Sequence, residues 1–252
     1  MRHIALNLSF DGTQYHGWQI QSNASSVQKT LFDALAQIAS VTTPPVGCGR
    51  TDAGVHAAYY VADFFTDCKI PIERFPIALN TILPNDIVVH SAVEVPDDFH
   101  SVHSCIRKEY TYKLYCSKTP NPFLHNRALF YPYLIDLALL RRAAAHLVGT
   151  HDFAAMRSLG TPVKSTVRTV YSFDIEKEDN LILFRVTANG FLYNMARTMV
   201  GTLLAVAQGK ILSEEIPSIL QSGDRARAGA TAPACGLYMT HAGYGKELFY
   251  AE

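Results

Sequence analysis

What most limits how this chain can fold is the way two hydrophobic periods take turns along it. Ile4, Leu6, Leu8 and Phe10 alternate with Ala5, Asn7 and Ser9, the period of a half-buried strand, and Asp11-Gly12 supplies the turn that closes it. Ser26-Val27-Gln28 then leads into Leu31, Ala34, Leu35 and Ile38, spaced three and four apart as on one helix face, and the helix stops before Pro44-Pro45. A β-rich aromatic run over Ala58 to Phe65, a proline-punctuated helical segment over Ile72 to Ile82 and a strand-like stretch over Asp86 to Val95 continue the pattern. A polar bend at Pro96-Asp97-Asp98 separates these from Lys108 to Cys116, where Tyr110, Tyr112 and Leu114 share one strand face. Beyond it the periods predict a helix over Asp136 to Val148, strands over Thr166 to Ile175 and Leu181 to Ala188, an apolar helix from Phe191 to about Ala207, and a short helix near Glu214 to Leu220. Strands and helices interleave in both halves, so the expected class is α/β of the α+β type, with two α/β units, 1–100 and 101–252, joined near residue 100. No internal repeat or low-complexity segment interrupts them.

Charge narrows the function classes. The 22 basic and 22 acidic residues cancel, whereas nonspecific nucleic-acid binders are usually basic, so any RNA contact must use a local patch. Arg107 with Lys108, Arg141 with Arg142, Lys164 with Arg168, and Arg225 with Arg227 are the candidates, and for any single pair a solvated surface is the plainer reading. Cys48, Cys68, Cys105, Cys116 and Cys235 are odd in number, scattered and free of CxxC spacing. That argues against a disulfide framework and a zinc site and fits a reducing cytoplasm. Met1-Arg2-His3-Ile4 runs into the first strand without the apolar core of a signal peptide. The most apolar stretch, Phe191 to Ala207, carries Asn194, Arg197, Thr198 and Thr202, which argues against a membrane span.

Two features can carry chemistry. Gly47-Cys48-Gly49-Arg50-Thr51-Asp52-Ala53-Gly54-Val55-His56-Ala57 crowds glycines around an arginine, an aspartate and a histidine. Glycine at that density lets a backbone turn tightly and approach a ligand, and the segment reads as a loop presenting Asp52; an ordinary aspartate turn has the same composition. The second is Arg197, the only charge on its apolar helix. A guanidinium there either snorkels to an edge or needs a buried acidic partner. Phe10-Asp11-Gly12-Thr13 partly matches a phosphatase pattern, but Ser9 replaces the first aspartate such an enzyme needs. His151-Asp152 lacks the ligand cluster of a metal phosphohydrolase.

Gly49-Arg50-Thr51-Asp52-Ala53-Gly54-Val55-His56-Ala57 resembles the signature loop of the TruA family of tRNA pseudouridine synthases, and the likeness extends along residues 4 to 245. Phe10-Asp11-Gly12-Thr13, Gly17-Trp18-Gln19, Ser26-Val27-Gln28, Ala78-Leu79-Asn80 with Leu83-Pro84, and Lys108-Glu109-Tyr110-Thr111-Tyr112 are similar to family blocks in the family's order. Gly149-Thr150-His151-Asp152-Phe153, Met195-Ala196-Arg197, and Ala232-Pro233 with Gly236-Leu237 continue the series. The resemblance implies two α/β units, each an antiparallel sheet with helices on one side, flanking a central catalytic cleft. It makes Asp52 the nucleophile, Arg197 its ion-pair partner, Tyr110 the aromatic that stacks on the target base and Arg50 the residue holding the uridine out of the RNA stack. Read singly, Tyr110 is an ordinary sheet aromatic and Arg50 a solvated loop residue. The family implies tRNA as substrate, at anticodon-arm positions 38, 39 and 40, a homodimer, and neither cofactor nor metal. Attack at C6 of the base and at C1′ of the sugar are both open. A catalytically silent tRNA-binding protein of the same fold is the alternative. The chain departs from the family pattern in Phe99-His100-Ser101-Val102-His103, where Val102 replaces an RNA-facing arginine, in Ala230, where a proline is common, and in Ala196, where valine is usual.

Overall fold

A computed structural model describes residues 1–160, 162–245 and 248–249. The chain divides into two compact units, one formed by residues 1–106 together with 238–252, the other by 107–237.

The first unit is built on β1 (Arg2–Phe10), α1 (Val27–Ala39), β2 (Val46–Gly47), β3 (His56–Thr66), α2 (Phe75–Asn80) and β4 (Ile87–Glu94). Here β1 pairs antiparallel with both β3 and β4, and β2 adds antiparallel to β3. Helix α1 forms where the spacing predicts: the Ser26 hydroxyl accepts from Lys29 N at its start, and Ser40 ends it in the left-handed region. Val27, Leu31, Ala34 and Leu35 form its buried face. Ile4, Leu6, Leu8, Leu31, Leu35, Tyr60, Phe75 and Leu79 are fully buried and form the core.

The expectation of a half-buried first strand needs correction, because Ala5 and His3 on its other face are also buried. His3 stacks on Phe65 with ring centroids 3.9 Å apart. Its Nε2 lies 2.9 Å from Asp63 Oδ2, and Asp63 Oδ1 accepts from Ser101 N at 2.8 Å. The turn after β4 thus covers the second face; His3 and Asp63 tolerate that burial because each finds a partner, whereas the buried Asn7 Oδ1 on the same face finds none among the described residues.

The second unit contains β5 (Cys105–Cys116) from Arg107 onward, β6 (Leu129–Tyr131), α3 (Leu137–Ala145), β7 (Gly149–Asp152), β8 (Val167–Glu178), β9 (Leu181–Ala188), α4 (Met195–Ala207) and α5 (Ile216–Ser222). Antiparallel pairs link β5 to β9, β9 to β8 and β8 to β7, while β6 runs parallel to β5. Two helices are shorter than predicted. Asp136 caps α3 through Ala138 N and Leu139 N, but the chain leaves the helix after Ala145 in single turns closed by Leu147 N and Val148 N. Helix α4 begins at Met195 rather than Phe191, because Asn194 takes φ 61° and breaks the helical path. After α5 the chain returns to the first unit as β10 (Leu237–Tyr244), parallel to β3 with Tyr238 opposite His56 and Met239 opposite Ala57. Among the described residues no helix is long and apolar enough to cross a membrane.

Candidate active site

The segment from Gly47 to His56 leaves β2, turns through Asp52 and re-enters the sheet as β3. Asp52 O accepts from Val55 N at 3.1 Å, closing a four-residue turn in which Gly54 has φ +77°; glycine reaches that conformation without a Cβ penalty. The turn is clasped from the side by the chain after β1. Tyr15 O accepts from Gly54 N at 3.1 Å and Trp18 N donates to Thr51 O at 3.3 Å. Gly12 N donates to His56 Nδ1 at 3.1 Å, with Asp11 Oδ1 3.2 Å from the same nitrogen, and buried His56 stacks on Tyr238 at 4.5 Å. A Cβ on Gly12 would collide with the backbone of Val55.

Below the turn, Trp18 tilts against Tyr60 at 4.4 Å, and the Tyr60 hydroxyl donates to Gly49 O. Gln28 on α1 accepts from Ile20 N and donates to Pro45 O, each at 2.9 Å, and so fixes both approaches to the loop. The Tyr15 hydroxyl donates to Asp86 Oδ1 at 2.7 Å; burial, then that carboxylate, pushes the phenol pKa up. The blocks Phe10 to Thr13 and Gly17 to Gln19, distant from Asp52 in sequence, therefore bond or pack directly on the loop, while Ser26 to Gln28 bonds to the chain that leads into it. Asp52 is half-buried and Arg50 exposed on the same turn.

In the second unit Tyr110 lies on β5 opposite Val186 and is 8% exposed. Phe191 meets its ring edge-on, with centroids 4.9 Å apart at 84°, a favoured aromatic geometry. The late start of α4 is what frees Phe191 to turn there. Arg197 lies in the first turn of α4, half-buried. Its Nε donates to Ala232 O at 2.8 Å and its Nη1 to Asn194 Oδ1 at 2.7 Å. These neutral acceptors are a class of partner that the apolar spacing of the helix did not suggest.

The Ala232-Pro233 segment is itself pinned, since the Tyr112 hydroxyl donates to Pro233 O at 2.9 Å. Burial, then the neighbouring Cys235 thiol, raises the Tyr112 phenol pKa, which Arg197 partly offsets. Gly201 and Gly229 permit the close backbone approach that brings this segment against α4.

Asp52 and Arg50 thus belong to the first unit, Tyr110 and Arg197 to the second. Several basic residues considered for RNA contact also make local bonds. Arg141 donates to Ile175 O, Arg168 to Ser165 O and Val167 O, Arg225 to Gly229 O and Thr231 Oγ1, and Arg227 to Ser218. No group of three His, Cys, Asp or Glu side chains among the described residues could hold a metal ion. All five cysteines are free thiols.

A family model described as tRNA pseudouridine synthase matches residues 8–103 and 143–245. Among curated proteins, tRNA pseudouridine synthase A of Thermoanaerobacter sp. (strain X514) is 46% identical over 239 residues, covering 95% of this chain and 98% of the relative. The protein of the same name from Acetivibrio thermocellus is 44% identical over 244 residues, covering 97% and 100%. A solved structure described as a Cbf5-Nop10-Gar1 complex aligns with TM-score 0.35 and 13% identity. That alignment covers 94% of this chain but only 57% of the other. The assignment of the fold rests on the family match and not on that likeness.

Proposed function

The chain belongs to the tRNA pseudouridine synthases of the TruA family, and from that membership we propose that it isomerises uridines of the anticodon arm, at positions 38, 39 and 40, with Asp52 as nucleophile. As a member it is an isomerase that converts uridine to pseudouridine in tRNA. The observation that carries the finer reading is the investment of structure in one turn: two separate sequence blocks, with Tyr15 between them, bond to the loop around Asp52, and a third braces the chain that leads into it. A solvated aspartate turn has no use for such support.

In the reaction the bond between uracil N1 and ribose C1′ breaks, the base rotates, and C5 bonds to C1′ in its place. No oxidant, hydrolysis or external energy source is required. The Asp52 carboxylate adds either to C6 of the base, to be eliminated when the C5 proton leaves, or to C1′ of the sugar, displacing N1 and being displaced in turn as C5 bonds to C1′. Arg197 is the counter-ion that keeps the carboxylate ionised once water is excluded, because a nearby cation opposes the effect of desolvation. Tyr110, backed by Phe191, is the platform on which the extruded base stacks, and Arg50 holds the nucleotide out of the helix. Together they offset an unstacking cost of a few kcal/mol. The C5 proton passes to Tyr110 or to a water it holds.

The protein works as a homodimer in the cytoplasm. The family resemblance supports the dimer, and five scattered cysteines without CxxC spacing support the compartment. Pseudouridine mapping in cellular tRNA with and without this protein tests the reading. Loss of pseudouridine at positions 38, 39 and 40 alone is the expected result, and an unchanged map overturns it.

A further inference from the structure

The residue before α4 is an asparagine in the cap position that does not cap. Such a side chain ordinarily turns its oxygen onto an N–H group of the helix's first turn. Asn194 makes no such bond. Its Oδ1 accepts from Arg197 Nη1 at 2.7 Å and its Nδ2 donates to Ser158 Oγ at 2.9 Å. Its backbone sits at φ 61°, a region that asparagine visits more readily than most residues but still at a cost. Both the helix cap and ordinary backbone geometry are given up so that one amide can reach one guanidinium.

We propose that Asn194 is a positioning residue, which sets the direction of the Arg197 guanidinium for the reaction. The inference rests on the reading of Arg197 as partner of the reacting carboxylate. A guanidinium is planar and rigid, so two bonds fix it where one does not. The Nε bond to Ala232 O, at 2.8 Å, anchors one edge of that plane. The bond from Nη1 to Asn194 anchors another and so sets the direction of the plane. Ser158 holds the amide at the far side, and the Tyr112 hydroxyl holds the Ala232-Pro233 segment. The clamp is therefore supported at both ends.

The test compares the full chain with Asn194→Gly, Ser158→Ala and Arg197→Met. Glycine accepts the positive φ without strain, so Asn194→Gly removes the amide and keeps the backbone. At saturating tRNA, the single-turnover rate of Asn194→Gly should fall about 10- to 100-fold, the scale of a group displaced by about 1 Å. The Kd for tRNA should stay within about threefold, since phosphate contacts supply most affinity. Tm should stay within about 2 °C, because no helix cap is lost. Ser158→Ala should show a smaller loss of the same kind. A parental rate in Asn194→Gly overturns the proposal, and so does a rate loss accompanied by matching falls in Tm or affinity, which marks a merely structural part. Arg197→Met tells the two readings apart. If it is inactive while Asn194→Gly is normal, the clamp alone is wrong; if it retains the parental rate, the role of Arg197 fails and the inference with it.

Discussion

Replacing Gly17 by alanine measures how far the Asp52 loop depends on the chain beneath it. Gly17 has φ +85°, where an added Cβ costs about 1–2 kcal/mol. That Cβ would also stand 3.1 Å from the carbonyl carbons of Thr51 and Asp52, and nearer still to the Thr51 oxygen. These are backbone atoms, and the Thr51 oxygen already accepts from Trp18 N at 3.3 Å, so no flexible side chain can yield. The loop must retreat by about 1 Å, and a displacement of that size costs on the order of 10²-fold in rate. Strain and lost packing of about 2–4 kcal/mol lower Tm by roughly 5–15 °C for a chain of this length. Tritium release from tRNA labelled at uridine C5 gives the rate. Trp18 is the only tryptophan, is 2% exposed and adjoins the substitution, so its fluorescence should shift to the red. Parental turnover with a Tm within about 1 °C of the parent would refute the claim that this contact holds the loop.

Val102 is exposed and, on the resemblance, replaces an RNA-facing arginine; Val102→Arg should tighten tRNA binding and steepen its salt dependence by about one counterion, and an unchanged slope would remove this position from the RNA surface. Arg197→Met and Asp52→Asn should be strongly nonadditive in stability if the two side chains share a charge, whereas additive unfolding free energies would separate them. Burial raises the phenol pKa of Tyr15, Tyr112 and Tyr244. The folded state then holds protons that the unfolded chain releases near pH ~10, so this stability is complete below that pH and lost as pH rises above it. Tyr244→Phe, lacking the hydroxyl that bonds Ser101 O, should start from a lower Tm at pH ~8 and decline less steeply towards pH ~11; parallel declines would contradict the linkage.

The parts of the fold that were legible are those whose causes are local. Ser26 and the spacing of Leu31, Ala34 and Leu35 define α1 because a cap and an apolar face act within a few residues. Helix α4 starts four residues later than its apolar spacing predicts because the left-handed Asn194 answers to Ser158 and Arg197. The short strands β2, β6 and β7 and the returning β10 carry no local period of their own, since their pairing comes from distant chain. His3 and Ala5 look like the outer face of a strand until the turn carrying Ser101 covers them. At the site, glycine density drew notice to Asp52, but nothing near it in sequence reveals that Gly12, Tyr15, Gly17 and Trp18 clasp its loop. Neither Ala232 nor Tyr112 carries a chemical signal of its own. Their place beside Arg197 follows from the path of the chain.

The central claim is that this chain exchanges the uridine glycosidic bond by way of Asp52. Tritium released from anticodon-arm tRNA labelled at uridine C5, compared between the parent and Asp52→Asn, tests it most directly. That substitution keeps the size and shape of the side chain and removes its nucleophilic charge. The expected result is stoichiometric release by the parent and none above background by Asp52→Asn, with tRNA affinity within about tenfold of the parent. Residual turnover above a few per cent by folded, tRNA-binding Asp52→Asn would contradict the assignment of Asp52, and no release by the parent from any labelled tRNA would contradict the activity itself.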